Sequence, residues 1–75
     1  MMDNFNHVLL FKTNLNCEED RHILHKILGG HQEIEKWNLD LNDEDCVLRI
    51  VSPTLTHQDI IDLIVHYRYH CQILT

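Results

Sequence analysis

The chain is predicted to fold as α+β in the order βαββαβ, with two helices on one face of a four-stranded antiparallel sheet. Three observations lead there. Apolar and polar residues alternate over residues 7–13, 36–41 and 46–51, the period of a half-buried strand. Two other stretches carry apolar residues at helical spacing, each behind a capping pattern. The six elements use the whole length, with no linker or low-complexity stretch between them.

In the first strand, 7–13, Leu9 and Phe11 share one face, and Val8, Leu10 and Lys12 share the other. Asn16 is read as the cap of the first helix, with Glu19 completing a capping box. Ile23, Leu24, Ile27 and Leu28 form that helix's apolar stripe, and Gly29-Gly30 is expected to end it. Trp37, Leu39 and Leu41 alternate with Lys36, Asn38 and Asp40 in the second strand. The acidic run Asn42-Asp43-Glu44-Asp45 is read as a solvated hairpin turn, because it lacks the ligand spacing of a calcium loop. In the third strand, 46–51, Cys46, Leu48 and Ile50 face the core while Val47, Arg49 and Val51 face away. Pro53 breaks that strand, and Thr56 with Asp59 caps a second helix carrying Ile60, Ile61, Leu63, Ile64 and Tyr67. Residues 71–74 close the sheet. Two helices on one face of such a sheet form the ferredoxin-like split βαβ arrangement.

Seventy-five residues are read as one domain over 1–75. A domain of this size buries only ~60% of its unfolded surface, so its core is thin. The net charge is −6, and the six basic residues are scattered singly, which argues against nucleic acid as a partner. No stretch approaches the ~20 apolar residues of a membrane span. The first residues show no charged start followed by an apolar run, so the expected compartment is the cytoplasm. Three cysteines make no disulfide framework. Nothing arranges a carboxylate and base for catalysis, a glycine-rich phosphate loop or a Ser/His/Asp set, and the chain is read as non-enzymatic.

Chemistry is expected at one end of the sheet. There the topology brings together the turn at Cys17, the hairpin and the turn at 68–70, gathering Cys17, Asp20, Tyr69, His70 and Cys71. Zn(II) accepts mixed Cys, His and Asp donors, so Cys17, Asp20 and His70 are the candidate ligands, with water or a partner supplying the fourth. Cys46 is assigned to the core, and His22, His25 and His66 to solvated helix faces. His57 is read as a partly buried spacer and Trp37 as core. The sheet face without helices carries Val8, Leu10, Val47 and Val51, with Leu74 joining from the edge. Such an apolar patch points to a protein partner or a homodimer.

The run Asn14-Leu15-Asn16-Cys17-Glu18-Glu19-Asp20, between first strand and first helix, resembles the metal loop of heavy-metal-associated (HMA) domains. That family carries Gly-Met-x-Cys-x-x-Cys there and serves in copper metallochaperones and metal-pumping ATPases. Leu15 matches the family's buried methionine and Cys17 its first cysteine, while Asp20 stands at the second cysteine and Asn14 at the glycine. Arg68-Tyr69 stands where the family has Gly-Tyr or Gly-Phe. Residues 37–41 and 47–50 resemble small stand-alone bacterial members that have lost the cysteine pair. The resemblance implies a metallochaperone-like domain with a degenerate metal site. A pure interaction module working through its open sheet face is the alternative.

Overall fold

The computed structural model describes residues 8–74. β1 (Val8–Thr13), α1 (Glu18–Leu28), β2 (Lys36–Leu39), β3 (Leu48–Val51), α2 (His57–His66) and β4 (Cys71–Ile73) follow one another in the expected order. The sheet order is β2-β3-β1-β4, every pairing antiparallel, with Val8 opposite Val51, Leu39 opposite Leu48 and Thr13 opposite Cys71. His7, read as the first residue of β1, lies outside the described residues.

Alternation along the strands builds the core. Leu9 and Phe11 of β1, Leu39 of β2, and Leu48 and Ile50 of β3 are buried against Leu24 and Leu28 of α1 and Ile60 and Ile64 of α2. Leu15 is fully buried although it lies in a loop, and it anchors the chain between β1 and α1. Trp37 and Cys71 pack half-buried around this cluster, and His57 meets Phe11 edge-on at 5.5 Å.

Several boundaries differ from those read in the sequence, each for a local reason. The N-cap of α1 is Cys17 rather than Asn16, and Cys17 has no side-chain oxygen to cap with. β2 ends at Leu39, short of Leu41, because Asp40 and Asp43 accept the N–H groups of Asn42 and Asp45 and turn the chain early. β3 begins at Leu48 because Cys46 adopts a left-handed φ of 46°. Cys46 is nonetheless buried, and its carbonyl accepts the Thr13 hydroxyl at 2.7 Å. α1 closes at Gly29 in an ordinary helical conformation, φ −63°, so no left-handed glycine ends it. β4 stops at Ile73, with the Leu74 N–H still donating to the Leu10 carbonyl. The capping box of α2 forms as expected between Thr56 and Asp59.

Candidate functional site: the loop between β1 and α1

Buried Thr13 starts the loop. Its hydroxyl donates to Cys46 and accepts the Leu15 N–H at 3.2 Å, which bends the chain inward so that Leu15 fills the core. Asn16 and Cys17 then emerge exposed, Cys17 in extended backbone at φ −146°. Glu18, Glu19 and Asp20 fill the first helical turn, where the helix dipole favours negative charge.

Asp20 is the most heavily bonded group of this region. One carboxylate oxygen accepts the Asn16 N–H at 3.1 Å, and the other accepts the Tyr69 hydroxyl at 2.9 Å. Burial pushes its pKa up, but hydrogen bonds from Tyr69, Asn16 and Cys17 together outweigh that and hold the carboxyl below its ordinary value. Tyr69 moves the opposite way. Burial, its bond to Asp20 and the negative groups around it raise the phenol above its ordinary value. A second tie runs parallel, with the Asn14 side-chain oxygen accepting the His70 N–H at 2.9 Å. Two side-chain bonds therefore fasten this loop to the turn between α2 and β4.

Of the candidate ligands, Cys17 is exposed at the loop tip, Asp20 is bonded as above, and His70 is exposed at the facing turn. Among the described residues, no group of three or more His, Cys, Asp or Glu side chains is disposed to hold a metal ion. Cys71 lies half-buried beside Thr13, and burial pushes its thiol up to about 11, so it is a poor thiolate source. The donor set does not fit Cu(I) held between two soft thiolates, since the only thiol exposed on this loop faces a carboxylate already committed to hydrogen bonds.

Of the apolar residues assigned to the open face, Val8 is paired with Val51 and Leu10 with Arg49, and they alternate along β1 and β3 with the buried Leu9, Phe11, Leu48 and Ile50. Val47 precedes β3 and is half-buried. One feature was not read from the sequence. Arg21 reaches from α1 across to the edge of the sheet, donating from Nη2 to the Leu39 carbonyl at 3.1 Å, with Glu18 3.7 Å from its Nε. Arg21, His22, His25 and Trp37 line a groove of about 450 Å³ there. Only the i, i+4 spacing of Arg21 and His25 on one helix face hinted at it.

Comparison with known proteins places the fold. The chain superposes, with a TM-score of 0.77, on the solved apo form of the HMA domain of the copper chaperone for superoxide dismutase. The match is 19% identical in sequence and covers 91% of this chain and 66% of the other. No protein-family profile matches the chain, and no curated protein matches it. The protein is thus an α+β domain with the HMA-like, ferredoxin-like fold.

Proposed function

We propose that the chain is a non-enzymatic, HMA-like protein-interaction domain whose metal site is degenerate, retaining only weak Zn(II) binding at Cys17 with Asp20 and His70. The observation that carries this reading is the bonding of Asp20. Where the metal loop of the family carries a second thiol, this chain has a carboxylate tied to Tyr69 and Asn16. Recruiting Asp20 to a metal competes with those bonds, which keeps affinity low. The HMA-like fold supports a role in contact with other proteins, and no helix among the described residues is long and apolar enough to cross a membrane. A second reading, loss of metal binding altogether with association through the open sheet face, is favoured by the absence of a three-ligand group among the described residues.

Native mass spectrometry of the reduced protein with equimolar Zn(II) or Cu(I) tests both. One Zn(II) ion lost in Cys17→Ser supports the first reading, and no stoichiometric ion supports the second. Asp20→Cys is expected to gain stoichiometric Cu(I), because it supplies the missing thiolate. Tight Cu(I) binding by the unmodified protein would overturn both readings.

A further inference from the structure

The open sheet face is ordered in rows. Lys36, Val51 and Val8 lie side by side across β2, β3 and β1. The next row is Asn38, Arg49 and Leu10, with Leu74 beyond, bonded to Leu10. A third row pairs Lys12 with Gln72 of β4, and the Lys12 ammonium lies 3.6 Å from Asp45. The first two rows enclose a depression of about 380 Å³ lined by Val8, Val51, Lys36 and Arg49, and no carboxylate lines it. Neither Lys36 nor Arg49 has an ion-pair partner among the described residues.

That placement departs from the composition. The chain has twelve acidic residues against six basic ones, yet three of the six, Lys12, Lys36 and Arg49, stand on this one face. Two of them flank exposed and half-buried valines with no acid beside them. We infer that this face docks a short segment of a partner protein in which acidic and apolar residues alternate. The inference rests on the reading of the chain as an interaction domain and names the chemistry of its partner. Acidic side chains meet Lys36 and Arg49, and apolar ones cover Val8, Leu10 and Val51.

A second copy fits less well. Two-fold stacking of this face on itself sets Lys36 and Arg49 of both copies against each other, an arrangement of like charges. Four strands ~4.8 Å apart with a rise of ~3.3 Å per residue offer roughly 300–400 Å². That is short of the ~800 Å² each partner buries in a standard interface. It suits a segment of about six residues. The overall charge of −6 also opposes binding to an anionic membrane or a nucleic-acid backbone.

The test is a ¹⁵N–¹H NMR titration of the metal-free protein with two hexapeptides. One alternates Asp or Glu with Ile or Val, and the other has Lys at every acidic position. The acidic peptide is expected to shift amides of β1, β2 and β3 around Val8, Lys36, Arg49 and Val51. Its affinity is expected to fall at least tenfold in the double variant Lys36→Glu/Arg49→Glu, which should now take the lysine peptide. Equal binding of both peptides at this face overturns the acidic partner and leaves the interaction reading standing. No shift at the face with either peptide overturns both. Binding only after deletion of residues 1–7, a sedimenting dimer that protects the same amides, or capture by anionic vesicles instead of peptide each assigns the face to another occupant and overturns the inference.

Discussion

The two helices begin in different ways. At α2 the Thr56 hydroxyl accepts the Asp59 N–H at 3.2 Å and the Asp59 carboxylate accepts the Thr56 N–H at 2.9 Å, so four consecutive residues close the cap. At α1 an aspartate stands at the same third helical position, but the cap is Cys17, which has no oxygen to return the bond. Asp20 reaches one residue further back, to Asn16, and gives its second oxygen to Tyr69, 49 residues away. The same side chain at the same helix position does local work in one helix and tertiary work in the other. The difference matters because α1 begins at the loop that carries the exposed Cys17. A carboxylate that fastens this loop to the α2–β4 turn leaves Cys17 at an exposed corner.

The largest expected effect comes from breaking the tertiary cap. Asp20→Ala leaves the Tyr69 hydroxyl and the Asn16 N–H without a charged acceptor, a loss of about 2 kcal/mol in urea unfolding. Thr56→Ala removes only the local box and is expected to cost about 1 kcal/mol. The two sites share no hydrogen-bond partner, so the double variant should lose the sum within ~0.5 kcal/mol. Equal losses at the two sites would show that the bond to Tyr69 adds nothing to the cap. A Tyr69→Phe variant as costly as Asp20→Ala would place the whole effect in that single bond.

Next in size, and of opposite sign, is a change in the turn that Tyr69 follows. Arg68 holds φ at 72°, a left-handed conformation that disfavours a side chain by roughly 1–2 kcal/mol. Glycine takes it freely, though its looser unfolded chain returns about half of that gain. Arg68→Gly is therefore expected to stabilise by ~0.5–1 kcal/mol, raising the melting temperature by a few degrees. The turn then presents Tyr69 to Asp20 without strain. A lower melting temperature would mean that the arginine side chain makes a contact outweighing its backbone strain.

Much of this was legible in the residues themselves. Alternation located the buried faces of β1, β2 and β3, and the Thr56/Asp59 spacing located the start of α2, because each signal lies within a few neighbouring positions. The start of α1 was not legible. Asn16 and Glu19 match the spacing of a capping box, yet the acceptor in use is Asp20, and the bond that commits it comes from Tyr69. The start of β3 escaped for a similar reason. Its alternation runs back through Cys46, but the Thr13 hydroxyl holds the Cys46 carbonyl where the backbone turns left-handed. Topology alone brings Cys17, Asp20 and His70 to one end of the sheet. Which of their polar atoms are already bonded depends on long-range contacts that no local pattern encodes.

The smallest effect separates the two caps by pH. Asp20 has its folded pKa below the ordinary value near 3.8. An ionisation of that kind adds stability that is fully present above pH ~4 and is lost as the pH falls through the folded value. Tyr69 is raised above its ordinary 10.0, so its share of the bond is present below pH 10 and lost as the pH rises through its folded value. The Cys71 thiol, raised to about 11 from 9.0 by burial, weakens the fold in the same alkaline direction between pH 9 and 11. The acid limb is shallow because the desolvation of Asp20 opposes its hydrogen bonds. Urea midpoints measured across pH should therefore show the advantage of the unmodified protein over Asp20→Asn shrinking below pH 4. On the alkaline side, Cys71→Ala removes the thiol's contribution, and a remaining fall that Tyr69→Phe abolishes belongs to the phenol. An acid limb unchanged in Asp20→Asn would assign it to another carboxylate and make the cap of α1 as insensitive to pH as a purely structural contact.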